Sequence, residues 1–152
     1  MKAVVLKQYK DIVNKASQQG SAITVPSEGW IHTLRKSLGM SGAQLARRLG
    51  VTRALVAKSE KNELAEVITL KTLQKMVQAM GGRVVYTVVL PEDVETLVKE
   101  RVREKARRIL NQANAQMALE SQALDTKTIS FELNRLEQEM LKDMPNDLWD
   151  DA

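Results

Sequence analysis

Apolar residues recur along most of this chain at three- and four-residue steps, the period of a helix with one buried face. Val4, Val5, Tyr9, Ile12, Val13 and Ala16 predict a helix over residues 1–18, ended by Gln19-Gly20-Ser21. Ala22 to Pro26 reads as a short extended link. Ser27 is placed to cap the next helix. Trp30, Ile31, Leu34 and Leu38 form its inner face, with the Trp30 ring as a core anchor. Two short helical patterns follow back to back. After the Asn62–Val67 loop, Thr69 caps a helix with Leu70, Leu73, Met76, Val77 and Met80 on one face. Gly81-Gly82 closes it, as glycines past a helix end do.

The period then changes once. In Arg83 to Leu90 the run Val84, Val85, Tyr86, Thr87, Val88 and Val89 is β-branched or aromatic, and it predicts the one clear strand. A lone strand leaves backbone N–H and C=O groups unpaired at an edge. Antiparallel pairing with the same strand of a second copy is the economical answer. Cover by the chain's own helices is the alternative. Pro91-Glu92-Asp93 starts a long helix to about Leu124, with Val94, Val98, Val102, Ala106, Ile109, Ala113 and Met117 at heptad-like steps. Asp125-Thr126 caps a last helix striped by Ile129, Leu133, Leu136, Met140 and Leu141 and ended at Pro145-Asn146. The tail that follows sets Leu148 and Trp149 among acids. It reads equally as a hook for a partner and as a segment folded back on its own domain.

The two short patterns carry the chemistry. Ser41 caps the first, whose buried positions are Leu45, Ala46 and Leu49. Gly50 suits a turn that needs positive φ. Val51 packs, Thr52 caps the second pattern, and Leu55 and Val56 resume the inner face. Helix, glycine turn and helix in so few residues is the helix-turn-helix signature. Its second helix enters the DNA major groove N-terminus first. That geometry turns Arg53, Ala54, Ala57 and Lys58 toward DNA, and Leu55, Val56 and the Ser59–Glu60 side toward the protein. Arg53 or Lys58 can donate to guanine O6 and N7, and Ala54 can meet a thymine methyl. Ser41, Gln44 and Thr52 are placed to hold phosphates.

Charge supports that use. Between Trp30 and Lys61, seven basic residues (Arg35, Lys36, Arg47, Arg48, Arg53, Lys58 and Lys61) face one carboxylate, Glu60. The net charge of +4 hides an asymmetry. Residues 1–119 hold 20 basic against 10 acidic side chains, and residues 120–152 hold 3 against 9. A basic body with an acidic tail reads equally as two surfaces for two partners and as a solubility balance. The six basic residues from Lys99 to Arg108 read as a solvated face before a second DNA contact.

The run from Gly29 to Lys61 resembles the phage repressor and Cro (XRE) helix-turn-helix class. Extended through ITLKTLQKMVQAMGGRVVYTVVLP, it is similar to the HipB-like antitoxins. It is more similar still to the family called mobile mystery protein A, which shares the patterns GW(I)xxLRxxLGMS, QLAxRLGV, ITLxTL, VVYxxV and, at Met117–Leu124, MALExQAL, x being any residue. The resemblance implies a mainly α, lambda-repressor-like helix-turn-helix bundle with one β-strand paired across a homodimer, plus a C-terminal helical extension. It also implies an antitoxin that binds a palindromic operator and a Fic-domain toxin. The family usually has a buried Leu where Ser59 stands, and that departure weakens the inner face. Inhibitory helices of Fic partners carry Ser/Thr-x-x-x-Glu before Gly or Asn. Ser59–Glu63, Thr96–Glu100 and Thr128–Glu132 match only its first half, so no such motif is assigned.

The expected organisation is an N-terminal helix and linker over 1–25, a DNA-binding domain with its dimerisation strand over 26–90, and a helical region with acidic tail over 91–152. The chain has no cysteine, so no disulfide and no Cys-based zinc site, and a reducing cytoplasm fits. The one histidine, His32, reads as structural. No catalytic set, metal or cofactor is expected. No stretch is apolar enough to span a membrane. Two function classes stand: an autorepressing antitoxin, and a stand-alone regulator whose C-terminal part oligomerises or senses a ligand.

Overall fold

The structure is a computed structural model and describes residues 2–119 and 125–151. Glu120 to Leu124, the last five residues of the MALESQAL string, lie outside the described residues. Seven helices are found among the described residues: α1 (Ala3–Ser21), α2 (Trp30–Ser37), α3 (Gly42–Leu49), α4 (Arg53–Leu64), α5 (Leu70–Ala79), α6 (Val94–Leu119) and α7 (Thr126–Lys142). The chain divides into two compact units, Gln18–Val88 and Met1–Ser17 with Val89–Ala152.

In the Gln18–Val88 unit, α2 to α5 pack around Ile31, Leu45, Ala46, Val56, Met76 and Met80. Each large aliphatic side chain buried there contributes about 1.5–3 kcal/mol. Leu34, Met40, Leu49, Val51, Ile68 and Leu73 close the edges. Ala46, only 3% exposed, has too small a side chain to hold α4 away from α3. Gly50 adopts φ 69°, and the amides of Gly50 and Val51 both return to the Ala46 carbonyl, which ends α3 and turns the chain into α4.

The entry to α2 differs from the expectation. Ser27 does not cap it; Gly29 is the N-cap residue and has no side chain to offer. The cap comes from α4, where the Glu63 carboxylate accepts the amide protons of Trp30 and Ile31 at 2.5 and 2.9 Å. Trp30 is 44% exposed, and so is no core anchor; Leu38 is 51% exposed. The core reaches α2 through Ile31 instead, at 0%.

The expected β-strand is not found. Residues 82–90 form no ladder, and no described segment lies beside them as a strand. A strand exists only through hydrogen bonds to a neighbour, and no described segment of the chain supplies one. Val85, Tyr86, Val88 and Val89 stay exposed, and the Val84 amide is satisfied by the Gln74 side chain at 2.7 Å.

The other unit joins α1 to α6 and α7. Asn14 ties α1 to the start of α6: its Oδ1 accepts from the Val94 amide and its Nδ2 donates to Glu95, both at 2.8 Å. Ser17 Oγ accepts from the Leu90 amide at 2.9 Å. The predicted apolar face of α1 is not buried, since Val4, Tyr9 and Ile12 are each more than half exposed. The core of this unit is Val98, Val102 and Ala106 on α6, Met140 on α7, and Leu148 of the tail. Pro91 precedes α6 by a short bend, and Asp93 is its cap, accepting from the Thr96 amide.

Candidate nucleic-acid interface

The capping groups placed by sequence hold the two helices of the motif. Ser41 and Gln44 form a reciprocal box: the Gln44 amide donates to Ser41 Oγ at 3.1 Å, and the Ser41 amide to Gln44 Oε1 at 2.7 Å. Thr52 Oγ1 accepts from the Leu55 amide at 3.2 Å and so fixes the first turn of α4. These three side chains are exposed.

On α4 the buried positions are Val56 and Ser59. Arg53, Ala54, Ala57 and Lys58 are exposed on the side away from them. Ser59 is 3% exposed, so the polar residue does occupy the inner face. Leu55 departs from its expected inward side and is 42% exposed. Arg53 and Ala57 line a cleft of about 550 Å³ between the α2–α3 turn and α4, together with Lys36, Gly39 to Gly42 and, at its floor, Val56 and the Arg35–Glu60 pair. The structure thus brings Ser41, Arg53 and Ala57 to one cleft. Gln44, Thr52, Ala54 and Lys58 do not line it.

The basic residues separate into two groups. Lys36, Arg47, Arg53, Lys58 and Lys61 are exposed. Arg35 is spent inside the fold, 8% exposed, donating from Nε to Glu60 at 2.7 Å and from Nη1 to the Met40 carbonyl at 3.1 Å. Arg48 is exposed, yet its Nε is fixed on the Ala79 carbonyl at 2.7 Å. Both carboxylates of α4 turn inward, Glu60 to Arg35 and Glu63 to the α2 amides. Burial pushes the Glu60 carboxyl up, but hydrogen bonds from Arg35 and His32 outweigh it and hold the group below its ordinary value. The exposed face of α4 therefore presents cations while its anions are neutralised behind it.

This geometry has a counterpart among known families. Residues 31–86 match the helix-turn-helix family model. The match spans α2 to α5 and ends within the extended segment. No curated protein and no solved structure matches the chain. The helix-turn-helix segment is thus identified in its own right, with α3 and α4 as its two helices.

The basic run on α6 is the expected solvated face in part: Lys99, Arg103 and Arg107 are exposed, while Arg101 and Lys105 are held by the tail. Arg101 donates to the Leu148 carbonyl at 2.7 Å and the Asp150 carbonyl at 3.0 Å, and lies 5.7 Å from the centre of the Trp149 ring. Lys105 meets Asp147 Oδ1 at 2.9 Å, Arg103 meets Glu137 at 3.2 Å, and Arg108 meets Glu104 at 3.1 Å. Of the two readings of the acidic tail, the folded-back one is what the structure shows. Leu148 is 2% exposed, and Asp147 and Asp151 pair with Lys105 and Arg101 of α6. Sequence reasoning missed Glu63 and Arg35 as organisers of α2 and α4. The only signal available was a Glu three residues past Glu60, which carries no long-range message. Among the described residues no cluster has the makings of a metal site, and no helix is long and apolar enough to cross a membrane.

Proposed function

We propose that this chain is a cytoplasmic, sequence-specific DNA-binding regulator of the XRE/Cro class that binds a palindromic operator as a homodimer and represses its own operon. The observation that carries this reading is the face of α4. Arg53, Ala54, Ala57 and Lys58 stand exposed, with both carboxylates of the helix engaged inside the fold, Glu60 by Arg35 and Glu63 by the α2 amides. In this reading α4 lies in the major groove, and Ser41, Gln44 and Thr52 hold phosphates at either side. The antitoxin role, with a Fic-type toxin as partner, extends this proposal. It is supported by the resemblance to mobile mystery protein A over Gly29–Leu124.

The test is binding of the purified chain to the DNA upstream of its own gene, titrated with salt, with and without the product of the neighbouring gene. Tight binding whose logarithm falls linearly with the logarithm of salt concentration supports the DNA reading. A change in that affinity on adding the neighbour supports the antitoxin. Binding untouched by the neighbour favours the stand-alone regulator, and no specific binding sinks the DNA reading.

A further inference from the structure

The apolar side of α1 is turned away from the segment that anchors the helix. Asn14, which holds the Val94 amide and Glu95, follows Ile12 by two residues and so lies about 160° from it round the helix. The helix is thus moored by its polar side. Val5, Tyr9 and Ile12 stand exposed on the other, Tyr9 by 58% and Ile12 by 64%. Half-buried Ala16 continues their line. These four positions are separated by four, three and four residues, the spacing of a helix that packs along another helix.

That series of steps reads the same in both directions. A second α1 laid antiparallel, about a two-fold axis level with the Lys10–Asp11 bond, sets Tyr9 against the second copy's Ile12 and Val5 against its Ala16. In that register Lys2, Lys7, Lys10 and Lys15 come level with Gln19, Asn14, Asp11 and Leu6 of the second copy, so no two lysines meet. The helix has no acid in its first turn and no base in its last, so its own residues leave its dipole uncompensated. The antiparallel pair places Lys2 beside the carbonyl end of the other helix, whereas a parallel pair sets like ends and both copies of Lys2 together. We propose that a second copy of this chain covers the stripe, and that the antiparallel α1 pair is the interface of the homodimer. This rests on the homodimer of the reading above, which needs such a surface because residues 82–90 form no ladder.

The experiment is sedimentation of the full chain as wild type, Ile12→Glu and Gln18→Glu, the last adding the same charge on the far side of α1. Ile12 is exposed in the single chain, so its replacement spares the monomer fold, and circular dichroism checks this. Wild type is expected to be a dimer. Ile12→Glu is expected to raise its dissociation constant at least about tenfold, and Gln18→Glu to leave it unchanged. The chain has no cysteine, so introduced ones report orientation cleanly. Mixed Val5→Cys and Ala16→Cys chains are expected to form a disulfide between unlike copies, and neither to cross-link with itself. Antiparallel pairing holds like positions well beyond the roughly 7 Å between Cα atoms that a disulfide spans. A dimer that Ile12→Glu leaves whole, or cross-links between like copies, overturns the proposal while the homodimer reading stands. A wild type that is monomeric both free and on DNA overturns the homodimer reading itself. A monomeric wild type that binds the neighbouring gene's product, with that binding lost in Ile12→Glu, gives the stripe to that partner and overturns the second copy.

Discussion

The Glu63 carboxylate lies 3.0 Å from the point where a Cβ on Gly29 would stand. Gly29 is buried, has φ +84°, and leaves room for Glu63 to reach the first amides of α2. A side chain at position 29 would be strained in backbone and would push the cap away. Gly29→Ala is predicted to cost about 1–3 kcal/mol. Glu63→Ala loses the cap alone, at about 1 kcal/mol. Thermal unfolding measures both. An unchanged melting temperature for Gly29→Ala would contradict this account of the α2 start.

The Arg35–Glu60 pair makes a second prediction. Arg35 has few routes to water, so Glu60→Gln leaves its charge poorly compensated and is expected to cost about 3 kcal/mol. The pair also gives the sign of a pH effect. The Glu60 carboxyl is held below its ordinary value in the fold, so its stabilisation is present above that ordinary value and is lost as pH falls through the lower, folded value. Urea unfolding at pH 6 and pH 3.5 should show wild type losing more stability than Glu60→Gln between the two conditions. Equal losses would remove Glu60 from the account.

The C-terminal tail is predicted to be a structural part of its unit. Leu148 is as buried as the α6 residues it meets, so Leu148→Ala should cost about 2–4 kcal/mol. Trp149→Ala removes only the exposed ring over Arg101, worth about 0.5–1 kcal/mol. Hydrogen exchange at the amides of residues 98–106 checks this. Protection should fall strongly for the first variant and weakly for the second, and an α6 indifferent to Leu148→Ala would show that the tail is not part of the core.

Much of this architecture is legible from local signals. Caps at Ser41, Thr52, Thr69 and Asp125, and the turn at Gly50, act within three or four residues and are found where the sequence places them. What escapes is long-range. Glu63 caps a helix start 33 residues earlier, a role that a short-window pattern does not signal, and Ser27 looks like the better cap until Glu63 is in place. Size and period point Trp30 to the core, but burial depends on what packs against it, and the ring is 44% exposed. The β-branched run at residues 84–89 has strand propensity, yet propensity without a partner makes no ladder. For the candidate interface, the period of α4 separates Arg53, Ala54, Ala57 and Lys58 from Val56 and Ser59. It could not reveal that Arg35 serves Glu60 rather than an anion outside.

The central claim is that the exposed face of α4 reads DNA sequence. The most direct measurement is selection of binding sites from a random DNA library by the purified chain and by Arg53→Ala and Lys58→Ala, followed by affinity measurement on the enriched sites. The account predicts an enriched palindromic site for wild type. It predicts a loss of about 1–3 kcal/mol of discrimination at the base pair each removed side chain reads, with non-specific binding far less affected. An enriched site that both variants select and bind as wild type does, or no enriched site at all, would contradict it.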